Sequence, residues 1–346
     1  MKTYKSILLA GLMVISTVSQ AQDIKIEKMT LPKAIETALV NNYDLKIANN
    51  TLEQAKNNNT LGNAGLLPSL SINGGLDYAN KDTELELAGD NNRYRVDAAE
   101  TMAYSANARI DYTLFDGFGS RYTYKKLNQA NQMQETYFKG QMEATILQVA
   151  RLYYDVCRAQ KNLFLAKESM RISKDRYSRT KDKKTYGQAN RLDLLNAEVD
   201  MNSDSTIILQ TEQVFLMSVK NLNVALGLPV QKSYEINDVI DFRNDLTADQ
   251  VLTDAMINNS SLLTQQQVQN MARSDVKITQ AAKYPSIGAY GQYGYYQQDS
   301  EGSQITYNQS LGTSAGLSLK FNVFNGQQLR TREKNAKLDL LSQKER

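Results

Sequence analysis

The residue types that most often carry enzyme or metal chemistry are nearly absent from this sequence. Its 346 residues include no histidine, and Cys157 is its single cysteine. Histidine is the commonest general base and metal ligand, and a disulfide or thiolate cluster needs more than one cysteine. Carboxylate pairs such as Asp82 and Glu84 occur, but we predict that they lie in a charged loop without the apolar pocket that shifts a carboxyl pKa. We therefore expect no enzyme activity, no cofactor and no metal site.

The composition as a whole excludes further classes of protein. Charged residues make up 22% and hydrophobic residues 41% of the chain, and the formal net charge is +3. This is too charged for a bundle of transmembrane helices, and no apolar run beyond the N-terminus reaches the length of about 18 residues that such a helix needs. A nearly balanced charge lacks the excess of Lys and Arg that is typical of nucleic-acid-binding proteins, so we expect no nucleic-acid partner.

The N-terminus has the pattern of a secretory signal peptide. Lys2 and Lys5 give it a positive start, residues 7–18 are apolar, and Ser19 and Ala21 place small residues at the −3 and −1 positions of a cleavage site. The apolar run is too short to span a bilayer. We predict a signal peptide over residues 1–21 and export of the rest of the chain.

Two parts of the chain repeat each other at a fixed offset of 217 residues. Residues 30–78 align without a gap with residues 247–295, with 11 identities in 49 positions. The shared positions include an Asn-Asn pair at 41–42 and 258–259. Because this period exceeds that of solenoid repeats, it indicates the duplication of a large unit. We predict a first repeat over 22–227, a linker over 228–246 and a second repeat over 247–346.

Each repeat contains a helix followed by two segments in which apolar and polar residues alternate. The predicted helices are 31–66 and 248–283, and the predicted strands are 69–78, 104–115, 286–296 and 311–323. Strands of this length can cross a bilayer when they are tilted. Their polar faces carry Ser71, Asn73, Asp77, Asn107, Arg109, Asp111, Gln292, Ser314, Lys320 and Asn322.

The alternation by itself leaves two architectures open. A soluble antiparallel sheet with one buried face shows the same pattern. The export signal favours a membrane barrel, but four strands cannot close one and a membrane forbids open sheet edges. We therefore expect a barrel that is completed by oligomerisation. The polar connectors 79–103 and 297–310 would then be outer loops.

Two predicted helices are too long for the core of a compact domain. Residues 118–186 and 191–226 favour helix throughout, and the first would extend over about 100 Å. A further long helix is expected to begin at 327–346. The helix over 118–186 has two apolar stripes, of which one follows a heptad repeat, as in a coiled coil with neighbours on both sides. The stripe with the heptad repeat includes Val149, Val156 and Leu163. The second stripe includes Tyr153, Cys157 and Phe164.

These features in this order resemble the TolC family of outer-membrane efflux channels. The motifs that carry the resemblance are LPKAIETALVNNYDL at 31–45, LPSL at 67–70, LFDG at 114–117, YGQANRLDLLNAE at 186–198, PS at 285–286 and VFNG at 323–326. The resemblance covers the whole mature chain and implies an α+β membrane protein built from two internal repeats. It implies a homotrimer in the outer membrane, in which four strands per protomer complete a β-barrel and long coiled-coil helices form a periplasmic α-barrel.

The resemblance also implies the partners and the functional residues. The turn between the two long helices would be the periplasmic tip, which meets an adaptor protein linked to an inner-membrane pump. Gly187 matches the adaptor-contact position, Asn190 and Arg191 lie in the same turn, and Asp193 matches the region that holds the aperture closed. The polar strand faces would line the channel, which would conduct small molecules or proteins passively to the exterior.

An alternative function is that of an exported structural or adhesive coiled-coil protein at the cell surface. Such a protein would share the signal peptide and the heptads, but it does not need four alternating strands. The repeat pattern further predicts that about 90 residues of the second repeat lie beyond Arg346, so we expect the sequence to be truncated.

Overall fold

The computed structural model of the chain describes residues 28–86, 93–237, 247–301 and 305–346. The signal peptide predicted over 1–21, and the part of the linker over 238–246, lie outside these residues. In chain order, the elements are β1 (Lys28–Met29), α1 (Leu31–Asn41), α2 (Tyr43–Asn58), β2 (Ser69–Glu86), β3 (Arg93–Phe115), α3 (Gly119–Thr185), α4 (Arg191–Leu226), β4 (Glu235–Ile236), α5 (Ala248–Asn258), α6 (Ser260–Ala281), β5 (Ser286–Ser300), β6 (Tyr307–Lys320) and α7 (Gln328–Lys344). The expected combination of long helices and a sheet is confirmed.

The chain divides into two units, of which the first contains the described residues of Met1–Val40 and Gln148–Asp241. Here β1 and β4 form a parallel pair, in which Met29 lies opposite Ile236. The hydroxyl of Tyr153 on α3 is 3.0 Å from the carbonyl oxygen of Met29 and 2.7 Å from that of Asn237. The apolar core of this unit consists of Met29, Ala34, Ala38, Val149, Tyr153, Val156, Cys157, Leu222, Ala225, Leu226, Tyr234 and Ile236.

In the same unit, α4 runs antiparallel to α3. Ser173 donates a hydrogen bond to Asp204, and Arg176 of α3 lies 3.1 Å from the carboxylate of Asp200. Arg176 comes after Ser173 on α3, whereas its partner Asp200 comes before Asp204 on α4, so the two helices run in opposite directions. Phe164 belongs to the second predicted stripe of α3, but its side chain is 61% exposed.

The two helices that the sequence predicts over 31–66 and 248–283 are each broken by an asparagine. Asn42 separates α1 from α2, and its side chain accepts a hydrogen bond from the backbone N–H of Leu45 at 3.1 Å. Asn259 separates α5 from α6 and accepts from the N–H groups of Ser261 and Leu262. Asparagine is a preferred N-cap because its side chain satisfies these donors. The shared Asn-Asn pair therefore begins a new helix in both places.

The second unit contains the described residues of Asn41–Leu147 and Phe242–Arg346. Its main feature is an antiparallel sheet with the strand order β2-β3-β5-β6. Neither β2 nor β6 has a further partner among the described strands. The first two strands are longer than predicted, since most of the connector expected over 79–103 continues their ladder of hydrogen bonds.

The corner between β3 and α3 explains the Asp-Gly part of the LFDG motif. The carboxylate of Asp116 accepts hydrogen bonds from the backbone N–H and the hydroxyl of Ser120 at the start of α3. Gly117 has φ +68°, and a Cβ atom there would lie 2.5 Å from the carbonyl oxygen of Ala281. Only glycine adopts this conformation without strain and leaves that space.

An ion cluster joins α6 and α7 in the second unit. Glu333 of α7 lies next to Lys283 and 2.9 Å from Lys337, and it accepts a hydrogen bond from Gln280 at 3.1 Å. These hydrogen bonds, first of all the one from Lys283, lower the pKa of Glu333 to about 2.

Within the described residues, no helix combines the length and the apolar character that crossing a membrane requires.

Candidate functional site

The polar face of the sheet aligns side chains from all four strands. Ser71 of β2 lies opposite Arg109 of β3. Gln292 of β5 lies opposite Arg109 on its other side and opposite Ser314 of β6. These four predicted residues therefore form one row across the sheet, which we call the central row because Gln292 and Ser314 lie near the middle of β5 and β6.

Arg109 makes most of the polar contacts of the central row. Its Nε and Nη2 atoms donate to the carboxylate of Asp111 at 2.8 and 2.9 Å, and its Nη1 atom donates to Oε1 of Gln292 at 3.3 Å. The guanidinium carbon lies 4.5 Å from the centre of the Tyr290 ring. A bidentate ion pair fixes both the position and the charge of the guanidinium, and the aromatic ring adds a cation–π contact.

The other predicted residues of the polar face lie on either side of this row. Asn73 donates to Oδ1 of Asn107 at 3.1 Å across β2 and β3. Asp77 lies opposite Ala103, and Lys320 lies opposite Ser286 at the end of β6.

Asn322 was predicted to lie in this sheet, and that prediction is wrong because β6 ends at Lys320. The opposing strand β5 begins at Ser286, directly after Pro285. Proline has no N–H group to extend the ladder, so Asn322 has no strand partner there.

Tyr290 is a site residue that the sequence reasoning missed. It lies two positions before Gln292 and therefore on the same face of β5, where it contacts Arg109. An aromatic residue interrupts the apparent alternation of apolar and polar side chains. The signal that could have found it is its even spacing from Gln292, since side chains two residues apart share a face of a strand.

The apolar face of the sheet is exposed, and on β3 the two faces have the reverse of the exposure found in a soluble sheet. On β3, the apolar-face residues Tyr104, Ala106, Ala108 and Ile110 are exposed, whereas the polar-face residues Ser105, Asn107 and Arg109 are partly buried. Ile72 on β2 is 83% exposed and Leu317 on β6 is 74% exposed. In the part of the chain that is described, the apolar face of this sheet thus has no cover.

The carboxylates of Asp82 and Glu84 lie in a strand, not in the loop that the sequence predicted. Asp82 is 3.9 Å from Arg95 and accepts a hydrogen bond from the N–H of Ala98 at 2.9 Å, while Glu84 is 3.8 Å from Arg93. All four charged side chains are more than half exposed. Cross-strand ion pairs and ladder hydrogen bonds extend β2 and β3 through this charged segment.

The turn between α3 and α4 contains the predicted tip residues. Gly187 has φ +74°, and nothing lies within 4 Å of the position of a Cβ atom. The N–H of Gly187 bonds to the carbonyl of Lys184, and that of Gln188 bonds to the carbonyl of Lys183. This is the Schellman arrangement that closes a helix with glycine. It leaves Gly187 exposed.

The first turn of α4 is closed by a capping box. The N–H of Asp193 donates to the side chain of Asn190 at 2.8 Å, and the N–H of Asn190 donates to the carboxylate of Asp193 at 3.1 Å. Arg191 is exposed beside them. Within residues 171–193, eight Lys and Arg residues stand against three Asp residues. Asp193 therefore has a structural role in a basic surface.

The described ranges contain no group of three His, Cys, Asp or Glu side chains that could hold a metal ion.

Solved structures of outer-membrane channels are similar to this chain in fold. The crystal structure of the Campylobacter jejuni CmeC outer membrane channel is similar to this chain with a TM-score of 0.72 and 17% identity, over 90% of this chain and 66% of that chain. The open state of the Neisseria gonorrhoeae MtrE outer membrane channel gives 0.67 and 18%, over 90% and 68%. The fold is that of an outer-membrane channel protein.

The family model of the outer membrane efflux protein matches residues 34–228 and 251–346. The chain belongs to this family, so the resemblance inferred from the sequence and the outer-membrane location are confirmed.

Two curated relatives come from Pseudomonas. The probable efflux pump outer membrane protein TtgC of Pseudomonas putida is 23% identical over 285 residues, which are 78% of this chain and 54% of that protein. The alkaline protease secretion protein AprF of Pseudomonas aeruginosa is 22% identical over 300 residues, which are 84% of this chain and 60% of that protein. The chain thus spans little more than half the length of the curated relatives it matches.

Proposed function

We propose that this protein is the outer-membrane channel of an efflux or type I secretion system, which conducts its cargo passively and catalyses no reaction. The observation that carries the proposal is the exposed apolar face of the sheet, in which Ile72 and Leu317 are exposed while Arg109 on the polar face of β3 is partly buried. Water would make such a surface unfavourable, at about 25 cal/mol per Å² of apolar area, whereas lipid would solvate it. A soluble sheet with one buried face does not fit this exposure.

The two open edges of the sheet support a trimer. The outer sides of β2 and β6 present backbone N–H and C=O groups without a partner in the described residues. In the bilayer each unsatisfied group is costly, so a membrane sheet must close. We propose that β2 of one protomer pairs with β6 of the next, and that three copies complete one barrel. The polar face then lines a water-filled lumen.

The helix starts support the two internal repeats. The first residues of α5, α6 and β5 each lie 217 positions after those of α1, α2 and β2. The family model also matches the chain in two segments.

In the trimer, exposed apolar residues on the long helices would pack between copies as a periplasmic α-barrel. They include Phe164 on α3 and Leu195, Val199, Leu209 and Leu216 on α4.

The turn with Gly187 would meet a periplasmic adaptor protein, which in turn would connect the channel to an inner-membrane pump. Its exposed glycine permits close approach of a backbone, and its surplus of Lys and Arg would attract an acidic partner surface. The names of the relatives support export by either an efflux pump or a protein-secretion system.

Two neighbouring residues on opposite faces of β2 provide the test. Ile72→Arg places a charge on the proposed lipid face, which costs about 2–4 kcal/mol per protomer near the bilayer midplane, whereas Asn73→Arg places it in the lumen. We expect Ile72→Arg to abolish the heat-modifiable trimer in the outer-membrane fraction and Asn73→Arg to retain it. An adhesive coiled-coil protein without a barrel would tolerate both changes, and the reverse result would mean that the faces are assigned wrongly.

A further inference from the structure

We infer that Arg121 and Arg330 bind the phosphate groups of anionic phospholipids in the periplasmic leaflet of the outer membrane. The inference rests on the proposed function, because it needs the apolar face of the sheet to be in contact with lipid. It adds a ligand class and two binding residues, one at each corner where the sheet leads into a helix.

The first argument is a series of contacts that leads from the apolar face of the sheet to Arg121. Phe115 lies opposite Ile287 of β5, which in turn lies opposite Leu319 on the apolar face of β6. The ring of Phe118 packs edge-to-face on the ring of Phe115, with 5.4 Å between the ring centres. The guanidinium carbon of Arg121 lies 5.9 Å from the centre of the Phe118 ring. Arg121 is therefore on the side of the molecule that faces lipid.

The second argument is that the other corner has the same construction. VFNG at 323–326 corresponds to LFDG at 114–117, and an arginine follows the glycine by four residues in both places. In each corner the glycine and the residue after it have positive φ angles, between +62° and +68°. Phe324, the second residue of VFNG, is 80% exposed. Because the two backbones turn in the same way, Arg330 extends from α7 on the side on which Arg121 extends from α3.

The third argument is that neither arginine has a partner within the described part of the chain. Both side chains are exposed, and neither forms an ion pair with another described residue. The first turns of α3 and α7 contain no acidic residue. A cation near the start of a helix opposes the helix dipole, so these arginines do not stabilise their helices. An anion from outside the chain would satisfy both of them.

The spacing of the side chains matches the depth of a phospholipid phosphate. The headgroup layer is about 5–7 Å thick on each side of the hydrocarbon core, and aromatic side chains are typical of the boundary between them. Phe118 is 52% exposed at the end of the apolar face. Arg121 follows it by three residues, a rise of about 4.5 Å, and exposed Lys125 and Lys334 follow the two arginines by one turn. A guanidinium binds two phosphate oxygens at once, which makes arginine suitable for this layer.

The experiment titrates the full-length trimer with phosphatidylglycerol in a neutral detergent and counts the bound lipids by native mass spectrometry. Two corners per protomer predict saturation at about six lipids per trimer in the wild type. In Arg121→Gln or Arg330→Gln, about three of these sites should bind about fivefold more weakly, which corresponds to about 1 kcal/mol for a basic residue near an anionic lipid surface. In the double variant all sites should be weakened, and the preference for phosphatidylglycerol over phosphatidylcholine should disappear.

Two further variants serve as controls. Arg332→Gln removes the same charge from α7 at an exposed position about 200° around the helix from Arg330, and should leave the titration unchanged. Arg121→Lys keeps the cation and should retain most of the affinity.

Unchanged titrations in both Arg121→Gln and Arg330→Gln, or an equal loss in Arg332→Gln, would overturn the inference. Complete displacement of the lipid by millimolar inorganic phosphate would also overturn it, because free phosphate would then be the ligand. The two arginines lie at separate corners, so either single variant that assembles as a trimer is sufficient. A wild-type protein that forms no outer-membrane trimer would instead contradict the proposed function, before any lipid is added.

Discussion

The hydroxyl of Tyr153 is expected to stabilise the first unit, and its removal in Tyr153→Phe measures by how much. The side chain is 2% exposed, and its hydroxyl lies within hydrogen-bond distance of the carbonyls of Met29 and Asn237. These carbonyls belong to the two segments that meet in the β1–β4 pair. The hydroxyl therefore joins α3 to the strand that precedes α1 and to the segment that follows β4.

The expected loss in the free energy of unfolding follows from the hydrogen bond that each carbonyl loses. A net hydrogen bond contributes about 0.5–1.5 kcal/mol, and a buried acceptor that loses its donor adds a penalty of about 1–3 kcal/mol. The carbonyl of Met29 also accepts the N–H of Asn237 at 3.1 Å, so it keeps a donor in the variant, whereas the carbonyl of Asn237 keeps only the weak thiol donor of Cys157 at 3.9 Å. Phenylalanine fills the same volume and creates no large cavity. We expect a loss of about 1–2 kcal/mol in the free energy of unfolding.

Tyr234→Phe is the matched control in the same core. Its hydroxyl is buried and has no hydrogen-bond partner among the described residues. Burial raises the pKa of Tyr234 to about 12, since the ionised form would lose its hydration. Removal of an unsatisfied buried hydroxyl relieves a desolvation cost, so we expect this variant to be neutral or more stable by up to about 1 kcal/mol.

The assay is urea unfolding of the full-length protein in detergent, followed by far-ultraviolet circular dichroism because the chain has no tryptophan. With a slope of about 3 kcal/mol per M, a loss of 1–2 kcal/mol lowers the midpoint by about 0.3–0.7 M. Equal midpoints for Tyr153→Phe and wild type, or a larger loss in Tyr234→Phe than in Tyr153→Phe, would refute the reasoning.

Two further predictions concern charges outside the barrel. Asp193→Ala should raise the single-channel conductance, because it removes the carboxylate that is proposed to hold the aperture closed. Asn190→Ala opens the same capping box but keeps this carboxylate, so it should only lower the stability of the helix by about 1 kcal/mol. Equal changes in conductance for the two variants would mean that the end of the helix, and not the carboxylate, causes the effect. The pKa of Glu333 is lowered to about 2 from an ordinary value of 4.5, so its ionised form stabilises the fold above pH 4.5 and this contribution disappears as the pH falls towards 2. Glu333→Gln should therefore flatten the fall of the urea midpoint in that pH range, and parallel curves would contradict the hydrogen bonds seen in the structure.

The two faces of most strands could be predicted from the alternation of apolar and polar residues, but the residues at which the strands end could not. Alternation placed Ser71, Arg109 and Ser314 on one face, where the structure has them. The extension of β2 and β3 was missed because backbone hydrogen bonds continue where the apolar alternation has ended. The ion pairs of Asp82 and Glu84 reinforce a ladder that no side-chain period indicates.

The helix breaks illustrate a different limit. Asn42 and Asn259 interrupt segments of otherwise good helix formers, and a single asparagine lowers helix propensity only slightly. Their capping hydrogen bonds depend on where the preceding helix ends. The shared Asn-Asn pair was visible in the sequence, but its role as a paired stop and start became clear only from the backbone.

The order of motifs along the chain was sufficient for the family and for the division of each strand into an apolar and a polar face, because both depend on residues close in sequence. Which polar residues meet was a matter of long-range register. Ser71, Arg109, Gln292 and Ser314 come from four strands, and Tyr290 joins them only because β5 pairs with β3 at that level. Backbone pairing between distant segments has no local signature, so the central row and the exposure of the opposite face required the folded chain.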